Sequence, residues 1–338
     1  MSTPAVRVAV DLLGGDGAPD VVVDGGLLVV ADPGVDVVLV GPPEVAETAL
    51  AARDAVGRLQ VAAATESVDM AEDPVRAVRA KRDATVRVAT RLLRDGEADA
   101  AVSAGSTGAF VVAAVFTLGR LPGVTRPSIA VTVPAAAGPV VLVDAGANVE
   151  CTPDLLAQFA LSGAAYAGTH LGREPRVGLL CNGTEPGKGD ALRRDAFAVL
   201  ADLPLSFVGY VESGAVTDGG VADVVVTDGF TGNVLLKGIE GMHALTRSVL
   251  GASLGDPAPA LAALDPLGAD HLGGGMLLGV PGTVVVGHGA SGAEAIAACI
   301  RLAADAVREQ VVPRVSEAMA GLVARRRAGA GVPEAAPR

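Results

Sequence analysis

The apolar positions of this chain fall into short β-branched runs separated by longer stretches of helical character. Ten runs read as strands: Val6–Val10, Val35–Val40, Leu59–Ala63, Ala100–Ser103, Ile129–Val133, Val140–Val143, Val177–Leu180, Leu205–Val208, Val224–Thr227 and Thr283–Val286. Most are continuous rather than alternating, as expected of strands covered on both faces. Helices fit Pro74–Arg94, Ala109–Leu118, Pro153–His170, Asp190–Ala201, Asn233–Val249 and Ser291–Val311. Pro74 and Pro153 suit a first helical position, where the missing N–H costs nothing. The alternation predicts an α/β fold with a mostly parallel sheet and flanking helices. No clean linker divides the chain, so residues 1–324 are expected to form one domain. Within it, residues 245–275 read as a helical excursion from the sheet pattern, and residues 325–338 as a flexible C-terminal tail.

Composition and charge change this picture in several places. Half of the 338 residues are hydrophobic but only 2% are aromatic, and Trp is absent, so the core must be built from Val, Leu, Ala and Ile. The formal net charge of -12 disfavours a nucleic-acid partner, which needs a basic surface. Cys151, Cys181 and Cys299 lie far apart, which fits neither a disulfide framework nor a zinc site and suits a reducing cytosol. Met1–Val10 carries Arg7 within a short apolar run and does not read as a signal peptide. The charge-free stretch Ala100–Gly119 has the length of a membrane span. Its Ser103, Gly105, Ser106, Thr107 and Gly108 give it loop composition instead, leaving a buried helix over Ala109–Leu118.

The candidate chemistry sits in glycine loops that follow strands. They span 11–17, 103–108, 144–148, 183–189, 228–233 and 287–292, and each carries polar side chains. Ligands of open α/β sheets bind beyond the carboxyl ends of strands. Glycine lets the backbone approach a ligand closely, and a following helix aims free N–H groups at an anion. Six such loops at one sheet edge would form a cleft for phosphate and for a developing oxyanion. The loop 287–292 matches G-x-G-x-x-G, but no second strand with an acidic residue follows it, so a dinucleotide site is disfavoured. The loop 183–189 is too short for a P-loop and has no Ser or Thr after Lys188.

Taken together, DLLGGDGAPD (11–20), SAGSTGA (103–109), RPSIAVTVP (126–134), VDAGANVE (143–150), DVVVTDGFTGNVLLKGIEG (223–241) and LLGVPGTVVVGHGAS (277–291) resemble the phosphate acyltransferase family of bacterial phospholipid synthesis, the PlsX type. The resemblance is collinear from about Val6 to Ala304. It implies an isocitrate/isopropylmalate-dehydrogenase-like (Rossmann-like) fold and a homodimer, with no organic cofactor; no residue is singled out as a metal ligand. The reaction it implies is acyl phosphate formation from acyl carrier protein and inorganic phosphate. The product would feed a downstream glycerol-3-phosphate acyltransferase, from a cytoplasmic enzyme with peripheral contact at the inner face of the membrane. Departures from the family pattern fall at Ser106, at 181–184 and at 209–214.

In that reaction phosphate itself is the nucleophile. Lys188 is expected to stabilise charge, Asn233 to donate to the carbonyl oxygen from a helix N-terminus, and His288 to act as general acid or base. Gly14, Gly15, Asp16, Ser106, Thr107, Gly108, Asp144, Asn148, Glu185, Asp228, Thr231, Gly232 and Ser291 are expected around phosphate and substrate. The aspartates would orient donors rather than touch a dianion. An acidic carrier needs a basic patch, for which Arg76, Arg79, Lys81 and Arg82 are the candidates. The leucines of Leu245–Leu267 suit a membrane or dimer contact. Three rival readings are a coenzyme-A-dependent phosphate acetyl- or butyryltransferase, a nicotinamide-dependent decarboxylating dehydrogenase, and a non-catalytic scaffold.

Overall fold

In the computed structural model, which describes residues 5–268 and 274–330, Val8 and Val10 of strand β1 (Val6–Asp11) bury into one apolar cluster and Ala9 into another. The two-residue period of a strand thus feeds two cores, one on each face of the sheet. The further strands are β2 (Val35–Gly41), β3 (Gln60–Ala63), β4 (Ala100–Ser103), β5 (Ser128–Val133) and β6 (Val140–Val143). They continue with β7 (Arg176–Leu180), β8 (Ser206–Val211), β9 (Val224–Val226), β10 (Gly275–Leu278) and β11 (Thr283–Val286). All eleven join one sheet in the order β3-β2-β1-β4-β11-β10-β5-β6-β9-β7-β8.

One face is covered by α1 (Asp20–Val29), α2 (Pro43–Ala51), α6 (Pro153–Leu171), α7 (Ala191–Ala201), α11 (Ala293–Arg308) and α12 (Val311–Ala330). The other carries α3 (Pro74–Ala80), α4 (Thr85–Arg94), α5 (Thr107–Leu118), α8 (Gly214–Asp218) and the start of α9 (Gly229–Ser253). The charge-free stretch at 100–119 resolves into β4, a loop and α5, and no described helix is long and apolar enough to cross a membrane.

The pairings divide the sheet into two parallel wings. β3, β2, β1, β4 and β11 run one way. β6, β9, β7 and β8 run together. Between them β10 is antiparallel to both β11 and β5, and β5 is antiparallel to β6. The two wings therefore point in opposite directions, which corrects the expectation that all six glycine loops leave one sheet edge. The loops at 103–108, 144–148, 228–233 and 287–292 meet over the short central strands instead, and 183–189 does not join them.

Five elements were not foreseen, one of them the short α8. The run Asp20–Val29 looks like a strand by composition, yet buries Val22, Val23, Gly25, Gly26 and Val29, a helical spacing. α2 starts on Pro43, and β10 lies among the glycines at 274–279. α12 places residues 325–330 in a helix, where Arg325 donates to the Asp202 carbonyl at 2.8 Å and Arg326 pairs with Asp154 at 2.8 Å. Residues 331–338 of the tail expected at 325–338 lie outside the described residues.

The single helix expected over Pro74–Arg94 is two helices. The break has a polar cause. The Asp83 carboxylate accepts from Thr65 N at 2.8 Å and from Thr65 Oγ1 at 2.7 Å, and Thr85 N donates to the Glu66 carbonyl at 2.8 Å. Residues 81–84 thus pair with 65–66 and leave the helix.

Candidate active site

The first wing contributes three loops. At the end of β1 the buried Asp11 accepts from Ser103 Oγ at 2.7 Å and from Leu13 N at 3.1 Å, and Ser103 Oγ accepts from Gly105 N at 3.1 Å. Burial pushes the Asp11 carboxyl up, against the lowering effect of the Ser103 bond. Gly14 packs onto the Gly105 backbone, Gly15 adopts a positive φ, and Asp16 N donates to the Gly289 carbonyl at 2.7 Å. Ser106 caps α5 by accepting from Ala109 N, so Thr107 and Gly108 form its first turn. In the third loop His288 N donates to Ser291 Oγ at 3.1 Å, and Ala290 N donates to His288 Nδ1 at 3.2 Å. That second bond makes Nδ1 the acceptor, so the neutral ring carries its proton on Nε2.

The second wing is organised by two aspartates. The fully buried Asp144, at the end of β6, accepts from Ile129 N at 3.0 Å, Gly146 N at 3.1 Å, Ala147 N at 3.0 Å, Asn148 N at 2.8 Å and Asn148 Nδ2 at 2.8 Å. Burial pushes its carboxyl up while these donors pull against it. Asn148 is buried as well, its amide also donating to the Pro127 carbonyl at 2.8 Å. Asp228 caps α9, accepting from Thr231 N at 2.9 Å and Thr231 Oγ1 at 2.8 Å, and it pairs with the Arg193 guanidinium. Burial would raise the Asp228 carboxyl, but the Thr231 bonds and the Arg193 charge outweigh it and hold it below its ordinary value. Arg193 also binds Thr227 Oγ1 and Thr231 Oγ1, each at 3.1 Å, and Asp190 at 2.8 Å. Tyr210, one of the departures from the family pattern, supports it from behind by donating to the Arg193 carbonyl at 3.3 Å and packing on Phe197.

The wings meet at a cavity of about 240 Å³. Thr107, Gly287, His288 and Ser291 line it from the first wing, and Ala145, Gly146, Asn233, Leu236, Lys237 and Glu240 from the second. Ile129, Val131, Gly275, Val286 and Cys299 supply an apolar floor. Of the expected residues, Thr107, Asn233, His288 and Ser291 therefore come together around one space. Gly14, Gly15, Asp16, Ser106, Gly108, Asp144, Asn148, Asp228, Thr231 and Gly232 hold its walls by the contacts above and by chain continuity.

Two expected residues are placed differently. α9 begins at Gly229 under the Asp228 cap, so Asn233 sits in the second turn rather than at the helix N-terminus. Lys188 lies half-exposed on its loop, 4.0 Å from Glu185, and neither residue lines the cavity. That loop instead borders a second cavity through Asn182 and Gly189, together with Thr231, Val234 and Leu235 on a different face of α9. Sequence reasoning missed Lys237, Glu240 and Arg193. The signal for the first two was their spacing of four and seven residues from Asn233 on one helix face. Arg193 had only its distance of three residues from Asp190 to mark it.

Outside the cavity, Arg76, Arg79 and Arg82 are exposed, with Arg79 stacked 5.2 Å over the Phe116 ring. Lys81 is tied instead to Glu72 at 2.5 Å and to the Ser67 carbonyl at 2.8 Å. Beyond Leu236, α9 runs over the excursion with no buried residue and packs on α10 (Ala258–Leu264), where His243 Nε2 lies 2.9 Å from the Leu264 carbonyl. Val234, Met242, Leu245 and Val249 share one exposed face of it.

Comparison with known proteins supplies the family. A model described as fatty acid synthesis protein matches residues 6–314. A phosphate acyltransferase of Desulfitobacterium hafniense (strain Y51) is 40% identical over 324 residues, covering 92% of this chain and 97% of its own. One from Bacillus cereus (strain ATCC 14579) is 40% identical over 331 residues, covering 93% and 98%. Among solved structures, a phosphotransacetylase from Streptococcus pyogenes superposes with a TM-score of 0.61 at 19% identity, covering 90% of this chain and 94% of that one. A 4-hydroxythreonine-4-phosphate dehydrogenase from Klebsiella pneumoniae gives a TM-score of 0.55 at 14% identity, covering 90% and 100%. At those identities the two structures speak for the fold alone.

Proposed function

The chain belongs to the fatty acid synthesis protein family, alongside the phosphate acyltransferases above, and from that premise we propose that its cavity joins an acyl group to inorganic phosphate. The observation that carries this reading is the convergence of Asn233, His288 and Thr107 on one space with an apolar floor. A phosphate oxygen attacks the thioester carbonyl. Asn233 donates to the carbonyl oxygen as its charge develops, and Nε2–H of His288 donates a hydrogen bond to the departing thiolate. An oxyanion donor of this kind is worth about 3 kcal/mol of barrier. Alignment of the reactants in the cavity adds a comparable or larger share.

The donor we propose is acyl carrier protein. The support is the exposed trio Arg76, Arg79 and Arg82, which suits an acidic partner although the chain as a whole is acidic. The test is acyl phosphate formation from palmitoyl carrier protein and phosphate, with palmitoyl coenzyme A as the competing donor. Faster turnover of the carrier substrate is expected. Charge reversal at Arg79 and Arg82 should raise its KM in a salt-dependent way and leave the coenzyme A reaction alone. Equal use of both donors, or no acyl phosphate from either, overturns the reading.

We assign the apolar face of α9 to self-association. In a Leu245→Asp/Val249→Asp variant, light scattering should show a monomer where the unaltered chain is a dimer. A variant that stays dimeric but no longer floats with liposomes would place a membrane, not a second copy, on that face.

A further inference from the structure

α9 presents Asn233, Leu236, Lys237 and Glu240 to the cavity, at spacings of three, four and seven residues that define one helical stripe. Among the described residues lining the cavity, Lys237 is the single lysine or arginine and Glu240 the single carboxylate. The two are paired, with Lys237 Nζ 2.6 Å from Glu240 Oε2. Both keep solvent access, their side chains being 42% and 23% exposed. A partly exposed pair of this kind is weak, because water competes for both charges. It is therefore easily exchanged for a stronger one.

Phosphate near neutral pH approaches as a mono- or dianion. It cannot lodge beside a bare carboxylate, and the floor beneath offers only apolar groups. The wall opposite α9 offers Thr107, Ser291 and His288, of which the first two are neutral. Arg193, a buried cation on this wing, is already bound to Asp190, Thr227, Asp228 and Thr231. Lys188 is held near Glu185, outside the cavity.

We infer that Lys237 is the cation that receives the phosphate acceptor, and that Glu240 holds the ammonium until phosphate displaces it. This rests on the proposed acyl transfer to phosphate and adds the acceptor's binding group to it. The exchange is one of partners: the Lys237–Glu240 pair opens, a Lys237–phosphate pair forms, and the Glu240 carboxylate turns to solvent. The chemistry that follows balances without a further reactant. The hydrogen phosphate dianion adds through one oxygen to the thioester carbon, the carbon–sulfur bond breaks, and the phosphate proton leaves on the thiol. The acyl phosphate keeps the two negative charges that entered. Lys237 also lies one helical turn beyond Asn233. The oxyanion donor and the acceptor's cation thus stand side by side on a rigid element.

The experiment measures binding of inorganic phosphate by calorimetry, alongside steady-state kinetics with palmitoyl carrier protein. Lys237→Ala should weaken phosphate binding about tenfold or more, the value of a charge-assisted hydrogen bond. It should raise the KM for phosphate to match and leave the KM for the acyl donor in place. Lys237→Arg should recover much of the loss. Glu240→Gln should bind phosphate more tightly than the unaltered protein, because the competing carboxylate is gone. Both positions are solvent-facing on α9, so thermal melting should be unmoved. Phosphate affinity unchanged in Lys237→Ala, or weakened in Glu240→Gln, overturns the inference even if the enzyme makes acyl phosphate. Failure of the unaltered protein to form acyl phosphate overturns the functional reading instead, and the binding contrast between the variants still decides the role of Lys237.

Discussion

Gly232→Ala should cost roughly 3 kcal/mol of stability and lower turnover by about a hundredfold, although alanine is the better helix former. Gly232 lies in the first turn of α9, and a Cβ there would sit 1.9 Å from the Asp144 carbonyl oxygen. The Cβ is fixed by the main chain and its neighbour is a main-chain oxygen, so no side-chain rotation relieves the contact. Asp144 cannot retreat freely, since its N–H is bonded to the Thr227 carbonyl at 3.0 Å and its side chain is held by the donors around it. The helix start must therefore move by about an ångström, carrying Asn233 and Lys237 off their lines into the cavity. A displacement of that size is enough to cost roughly two decades in rate. The gain expected from propensity alone, about 1 kcal/mol, is smaller than the overlap it creates. Gly238 on the same helix provides the contrast. Its Cβ would meet nothing within 4 Å, so Gly238→Ala should stabilise the protein by about 0.5–1 kcal/mol. Urea denaturation and acyl phosphate assays of the two variants check the pair. A Gly232→Ala protein as stable and active as the unaltered one would remove the close approach as the element that sets α9.

The strands were legible because their signal is local. Runs such as Val35–Val40 and Val140–Val143 are buried on both faces and read as strands without reference to partners. What the pattern could not show was direction. Nothing in Ile129–Val133 or in Gly275–Leu278 announces that β5 and β10 reverse the sheet, since direction is a property of pairing between distant segments. The glycine loops were found one by one, but the convergence of those at 103–108, 144–148, 228–233 and 287–292 over the central strands depends on that reversal. Lys188 and Lys237 illustrate the same limit within the site. Both follow glycine-rich polar segments, and only the face that α9 turns to the cavity separates them. Helix α1 failed for the opposite reason. Its valines have strand propensity, while the helical spacing of the buried ones becomes decisive only when α11 is there to receive them.

Asp144→Asn should destabilise the fold by about 3 kcal/mol and reduce turnover by roughly a hundredfold, with side-chain volume unchanged. A carboxylate is acceptor-only, and both its oxygens are in use: Oδ1 takes the N–H groups of Ile129, Gly146 and Ala147, and Oδ2 takes Asn148 N and Asn148 Nδ2. Asparagine keeps one acceptor and turns the other into two donors. If its amide nitrogen replaces Oδ2, the two Asn148 groups face a donor and lose their bonds. If it replaces Oδ1, three main-chain N–H groups do. In a fully buried position each orphaned donor costs about 1–3 kcal/mol, so the side chain will take the first arrangement. The loss then falls on Asn148, whose carbonyl accepts Gly229 N at 2.7 Å at the entry to α9. Loosening that contact releases the helix that carries Asn233 into the cavity wall. Stability and turnover should therefore fall together, unlike in Lys237→Ala, where phosphate binding falls and stability does not. Denaturation and phosphate titration of both variants separate the two behaviours. An Asp144→Asn protein within 1 kcal/mol of the original, turning over normally, would show that the loop 144–148 keeps its shape without the anion at its centre.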